Sequence, residues 1–563
     1  MCKSWIVFAP VLAVSLVWSG ARPAKAQVLV VTAKSVDSLV GGLEHVIASA
    51  APDEEMKQGA QQGLDLLKDP TLLPGIDRAK PFGAWVTMPA EPNAADPPTI
   101  IAAVPVTDIK ALMDGLKNFG IDVNDKPGIP GFSYAVGLAG TGMSLYAVEG
   151  KGYVYLTIIP QGAEKLAALT PADWVPKRDG LGDLSAGIRM DLVPDAFKDM
   201  LLEQVEGRMK LERNRMPGED DATFQGRLTV MKLSQELFTR FVREARDLNL
   251  DLAVDRPNEA LSLEVSLGAV SGTPMAKRLA GLSGLRSGFQ VLADSSSAIA
   301  GWAALPISAE LRDSLGKQAD DAIAKALAQE KNPTSKALIE RAKAILDEFI
   351  KSDSLDAGVA IREVNTPANT GTSVLVAGLK VPDARKVEDL VRDVFKANPP
   401  APNEAKVTLD AGKAADGTAL HRIEPVMQPE EAARMPGLGE PIIYLAFRKN
   451  QVLAALGANA EAAIVKALAE TEKVPAENAA GSPVSFRMAV DRVAKLSDAA
   501  GAQKAELAKL FTGKNAGKNQ MGLSLGRGGD DSIRVRLQVD LPALAALARL
   551  GAIQQQAQLT PAR

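Results

Sequence analysis

One order of elements occurs twice in this chain of 563 residues, and that limits the possible folds more than any motif does. In the first half the spacing predicts a helix over about Ser35–Ala51, with Val36, Leu39, Val40, Leu43, Val46 and Ile47 on one face and His45 on the opposite, solvent-facing side. A second helix follows over about Asp53–Lys68, then strand-like runs at Gly83–Met88 and Thr99–Val106. The latter leads into a helix that carries Ile109, Leu112, Met113, Leu116 and Phe119 at helical spacing. The second half repeats the order, with helices over about Ser308–Gln329 and Ser335–Ile350 and strands at Ala357–Glu363 and Ser373–Val381. Its next helix carries Val387, Leu390, Val391, Val394 and Phe395.

The match continues downstream. Strands Ser144–Val148 and Tyr153–Ile159 flank the turn signal Gly150-Lys151-Gly152, as Ile442–Phe447 and Val452–Leu456 flank Lys449-Asn450-Gln451. A short amphipathic helix follows each hairpin, and then a strand, in which Ile188-Arg189-Met190 matches Phe486-Arg487-Met488. Each half closes with a long hairpin, turning at Pro257-Asn258 in one and Gly528-Gly529 in the other. The final helices lie at about Thr273–Leu282 and Leu541–Leu550.

Most of these strands return through hairpins, so the expected class is α+β: two tandem repeats of a large antiparallel sheet with helices packed on it. The absence of a regular βαβα order disfavours a doubly wound nucleotide-binding sheet. The expected organisation is a leader over 1–26, repeats over 27–287 and 288–556, and a disordered tail over 557–563. A charged helical insertion near 196–247 sets the first repeat apart. Its helix 222–246 carries Phe224, Leu228, Met231, Leu237, Phe238, Phe241 and Val242 on one stripe. That stripe either packs on its own repeat or docks a partner.

Residues 1–26 have the grammar of a secretory leader. Lys3 gives the positive start, Trp5 to Trp18 form an apolar run too short to span a bilayer, and Ala24-Lys25-Ala26 sets up a cut before Gln27. The expected location is therefore periplasmic or secreted, with no membrane span after cleavage. The cut removes Cys2, the one cysteine, so disulfides and thiol catalysis are excluded from the mature chain. It leaves 61 Lys and Arg against 68 Asp and Glu, a net charge of −7, with no basic excess for nucleic acid.

No motif survives comparison with its structural reading, so no catalytic, cofactor-binding or metal-binding residue is expected. Gly522-Leu523-Ser524-Leu525-Gly526 matches a nucleophile elbow, but it alternates as a strand and no histidine follows residue 421. Gly513–Lys518 lacks the glycine spacing of a phosphate loop. His45 and His421 lie in non-equivalent elements, so nothing pairs them as ligands, although His421 sits in a strand face with Ala419 and Ile423. The carboxylate clusters at 53–55, 219–221, 320–321, 430–431 and 530–531 lie at helix starts, on helix faces or in turns. Asp122, Asn124 and Asp125 lack calcium-loop spacing. Gly137, Gly140 and Gly142 read as a turn or bulge.

LPGIDRAKPFGAWV at 73–86, the strand–helix VPVTDIKALMDGLKNFG and the hairpin YAVEGKGYVYLT resemble a group of exported proteins of planctomycete bacteria, mainly over residues 30–170. The resemblance implies secretion and architecture and carries over no functional residue. The resulting expectation is an exported, non-catalytic binding or structural protein of the cell envelope, its ligand and partner unspecified. The alternative is an envelope hydrolase whose carboxylates converge only in the fold.

Overall fold

The computed structural model describes residues 26–51, 54–89, 98–138, 142–176, 182–216, 218–364, 372–427, 437–439, 441–472, 482–496, 507–529 and 531–559. Residues 1–25 of the expected leader, and the acidic clusters' members Asp53, Glu430, Glu431 and Asp530, lie outside them, as does Gly140. The fold is α+β with a large antiparallel sheet, and two compact units divide it. One runs to Ala280 and includes Gly528–Arg534; the other takes Gly281–Arg527 and continues from Val535.

The strands of the first unit are β1 (Ala26–Ala33), β2 (Phe82–Met88), β3 (Thr99–Pro105), β4 (Val123–Asn124) and β5 (Tyr134–Gly137). They continue with β6 (Ser144–Gly150), β7 (Tyr153–Thr157), β8 (Leu184–Arg189), β9 (Ala245–Asp255) and β10 (Ala260–Ala269). Antiparallel ladders join them in the order β4-β5-β6-β7-β3-β2-β1-β8-β9-β10. The second unit holds β11 (Ser297–Pro306), β12 (Ser354–Val364), β13 (Thr372–Lys380), β14 (Ala405–Lys413) and β15 (Ala419–Pro425). It adds β16 (Ile443–Arg448), β17 (Gln451–Gly457), β18 (Val484–Ala489), β19 (Gln520–Gly529) and β20 (Ser532–Asp540), of which residues 528–534 count with the first unit. Their order is β14-β15-β16-β17-β13-β12-β11-β18-β19-β20.

Helices α1 (Val36–Ala50), α2 (Glu54–Lys68), α3 (Ile109–Asn118), α4 (Ala163–Ala168), α5 (Pro171–Trp174), α6 (Asp195–Glu212), α7 (Asp221–Glu244) and α8 (Pro274–Ser283) come first. They are followed by α9 (Ala309–Gln329), α10 (Pro333–Ile350), α11 (Ala384–Ala397), α12 (Ala460–Glu472), α13 (Val490–Leu496) and α14 (Leu541–Leu559). Local chemistry sets several boundaries. Asp108 caps α3 by accepting from the Ala111 N–H, and Asp383 caps α11 by accepting from that of Arg385. Lys151 and Gly152 turn the β6–β7 hairpin with φ of 50° and 77°, the left-handed pair that a two-residue hairpin loop requires. In β3 the alternation TIIAAVP buries every second residue. The first unit buries Trp85 stacked on Trp174 with ring centres 5.6 Å apart, while in the second α12 lays Ile464 and Leu468 against Leu453 and Val376.

Several expectations change. Each half begins with a strand, β1 or β11, that the helix-first reading omits. β1 carries the strand-forming run Val28, Leu29, Val30 and Val31, whereas β11 is rich in alanine, which carries little strand preference. The last hairpin turns after Gly529, not at Gly528-Gly529, and α14 runs to Leu559, so the expected tail begins in helix. Leu43 and Phe119, expected on buried faces, are 50% and 55% exposed. The insertion is the helical pair α6–α7, but residues 245–247 already belong to β9. The C-terminal part of α7 packs on its own unit, with Val242 fully buried and Phe238 and Phe241 against Leu201 and Leu202. Leu237 and Val230 face outward.

Candidate functional site

Two groups of polar side chains in the second unit stand out. The first joins α11 to the β14–β15 hairpin. A bulge between Thr408 and Gly412 puts Asp410 at φ 54°, in the left-handed region, and turns its backbone N–H toward His421. That N–H donates to His421 Nδ1 at 3.2 Å, so the ring proton sits on Nε2, which lies 3.2 Å from Glu388 Oε1. Arg392, one turn along α11, donates to Glu388 Oε1 at 2.7 Å and to both oxygens of Asp410 at 2.5 and 2.8 Å. His421 is 1% exposed. Burial, and then the Arg392 charge, hold its pKa below the usual imidazole value against the pull of Glu388. The Arg392 guanidinium keeps Asp410 below the usual carboxylate range.

Glu388, Asp410 and His421 each offer an atom within 4.8 Å of the others, a spacing that could hold a cation. Their donor set does not fit one. Arg392 already supplies the positive charge, Nδ1 is occupied by a backbone donor and Nε2 carries a proton. The cluster is a latch between helix and hairpin. Sequence reasoning placed His421 on its strand but missed this constellation, whose only linear signal is the Glu388–Arg392 spacing of four on a helix face.

The second group lines a cleft of about 540 Å³ on one face of β11, β18, β19 and β20. Pairing of Ala300 with Arg487, Arg487 with Gly522 and Ala489 with Gln520 puts these residues on that face. Ala300, Ala489 and Gly522 are the small residues of its lining. Arg487 sits with its guanidinium carbon 5.3 Å from the centre of the Trp302 ring. Trp302 is itself fixed by its indole N–H, which donates to the Ser482 carbonyl at 2.9 Å. Asp540 accepts the Gln520 N–H at 2.8 Å, and burial raises its pKa despite that bond and nearby Lys518.

The other charges of the cleft are committed. Asp294 binds Lys466 at 2.7 Å and lies 3.6 Å from Arg362; although burial opposes it, these cations and Ser296 hold it well below the carboxylate range. Arg492 donates to the Ser297 carbonyl at 3.1 Å and approaches Glu363 at 3.8 Å. Arg487 forms no ion pair among the described residues.

The residues singled out from sequence resolve as structure. Ser524 lies in β19 opposite Ser485, with neither histidine beside it. Gly513–Asn515 is one turn of 3₁₀ helix. Asp125 binds Lys117 at 2.7 Å, Asn124 accepts the Lys126 N–H, and the Asp122 carbonyl accepts that of Gly137. Glu219 binds Arg227, and Asp220 caps α7. His45 corrects an expectation: its side chain is only 25% exposed, with Nε2 3.6 Å from Glu259. The β9–β10 turn folds over the polar side of α1, where Ser49 also donates to Glu259. No family model, no curated protein and no solved structure matches this chain.

Proposed function

We propose that this chain is an exported, non-catalytic binding protein of the cell envelope, built from two copies of one α+β unit, with its ligand in the cleft of the second unit. The carrying observation is Arg487, a cation held over an aromatic ring beside an unfilled, small-residue floor and lacking an ion-pair partner among the described residues. The carboxylates favour binding over hydrolysis. Asp294 is locked by cations as a poor base, leaving Asp540 as the one other carboxylate lining the cleft, whereas acid–base hydrolysis of the glycosidase kind needs two carboxylates. Export rests on the leader grammar of residues 1–26; no helix among the described residues is long and apolar enough to cross a membrane. In this reading the chain shares ancestry with the planctomycete-type exported proteins it resembles.

Copying is supported by strand order and by register. Counting from the β6–β7 and β16–β17 turns, Pro105 corresponds to Lys380. The ladders then carry the frame through Gly83 with Gly358 and Thr32 with Trp302 to Ser185 with Ser485 and Asp251 with Ser524. This frame replaces the match of Ile188 with Phe486 by one of Ile188 with Met488, a shift of two residues.

The test is mass spectrometry of the protein purified from its own envelope. The expected mature chain starts at Gln27, and native spectra carry an added small mass that Gly522→Leu abolishes. A side chain there meets only the Phe486 carbonyl at 3.8 Å, so the substitution fills the cleft without backbone strain. An uncleaved chain in the cytosol, or a bound mass indifferent to Gly522→Leu, overturns the reading.

A further inference from the structure

We propose that the cleft recognises a small molecule through a carboxylate group, which Arg487 grips with its guanidinium fork. The inference rests on the binding reading above and adds the ligand's chemical class.

The Arg487 guanidinium carbon lies 5.3 Å from the centre of the Trp302 ring, and the planar guanidinium offers a fork of N–H donors that matches two carboxylate oxygens. Of the two arginines lining the cleft, Arg487 is the one with no ion pair among the described residues. Arg492 is offset by Glu363, and Asp294 is offset by Lys466 and Arg362. Asp540 does not neutralise Arg487, because no ion pair joins them. One of its oxygens takes the Gln520 N–H, and burial raises its pKa from the ordinary carboxylate value. Gln538, exposed on the same strand face as Asp540, adds an amide at the rim. A cleft of about 540 Å³ suits a metabolite rather than a polymer.

The experiment titrates the mature full-length protein with acetate, succinate and glutamate, using succinamide as the uncharged control, and reads calorimetry and Trp302 fluorescence in a Trp85→Phe/Trp174→Phe background. At least one carboxylate is expected to saturate a single site and change Trp302 emission, with succinamide inert. Arg487→Gln is expected to weaken binding on the order of ten- to a hundred-fold, the usual range for losing a charge-assisted contact. Arg487 is exposed, so an unchanged thermal transition certifies the fold of that variant. Absence of saturable binding by all three carboxylates, equal binding of succinamide, or affinity unchanged in Arg487→Gln overturns the proposal. A native bound mass that Gly522→Leu removes and Arg487→Gln leaves would refute the carboxylate while sparing the binding reading.

Discussion

The buried His421 gives the second unit a defined response to acid. In the neutral ring both nitrogens are matched: Nδ1 accepts from Asp410 and Nε2 faces Glu388. A second proton on Nδ1 would set two donors against each other. The groups facing the ring are Glu388 and Arg392 from α11, Asp410 from β14 and Phe447 from β16. Because the folded pKa lies below the unfolded value of 6.5, unfolded chain binds a proton that folded chain refuses as pH falls below 6.5. Stability is therefore full above that point and declines beneath it, by about 1.4 kcal/mol per pH unit at the limit of one proton. Between pH 7.5 and 5.5 the loss is up to about 1.4 kcal/mol. Urea unfolding followed by Trp302 fluorescence, in the Trp85→Phe/Trp174→Phe background, measures it. His421→Leu should be less stable than wild type at pH 7.5 by about 1–2 kcal/mol, the cost of the Asp410 N–H losing its acceptor, and should lose the pH dependence. Wild-type stability that is flat from pH 7.5 to 5.5, or an identical slope in His421→Leu, would refute the reasoning.

Other sites give separate tests. Gly378→Ala should cost roughly 1–3 kcal/mol in the same unfolding assay. Its Cβ would lie 2.3 Å from the buried Phe289 ring, and Phe289→Leu should recover part of the loss. Arg362 is 3% exposed and donates to the Leu292 carbonyl and to Glu470. Arg362→Met, which takes the donor from the buried Leu292 carbonyl and leaves Glu470 to Lys466, should cost about 1–3 kcal/mol by urea titration. Arg227 lowers the pKa of Glu219 to about 2, so the bond closing the α6–α7 turn should hold as pH falls below 4.5 and fail only near 2. Hydrogen exchange of the 212–224 peptide against pH should show this step, and Arg227→Gln should move it up toward 4.5.

What could be read in advance follows physical range. Elements held by local rules were legible: the capped helices α3 and α11, the alternating β3 and the Lys151-Gly152 turn all announce themselves within a few residues. Elements held by position were not. β11 is an Ala-rich segment that becomes a strand because neighbours on both sides complete its ladders. The latch unites Glu388, Asp410 and His421 through a bulge that no spacing encodes, and the cleft exists because small residues on β11, β18 and β19 fall on one face. His45 failed for the same reason: its helix alone made it a surface residue, and a turn more than 200 residues later covered it.

If the units are copies, as proposed, their differences separate architecture from use. The helix-to-hairpin ion pair is kept, as Lys117–Asp125 in one unit and Arg392–Asp410 in the other. Counting from the caps Asp108 and Asp383, Glu388 takes the place of the buried Met113. Through the β5–β6 and β15–β16 ladders, His421 takes that of Tyr134. An apolar joint has become a titratable latch at the same point of the fold. Where Arg487 faces Gly522, the first unit has Gly187 facing Asn249, the long and absent side chains exchanged across one ladder position. Asn249 leans over Gly187, so a Cβ there would meet its Oδ1 at 2.7 Å, and it is tied to Asp247 and Ser266. In the second unit the long side chain is instead a cation held on Trp302, with no ion pair among the described residues. The same backbone therefore satisfies its polar side chain internally in one unit and turns it toward an open cleft in the other, which is what a ligand site evolving on one of two copies requires.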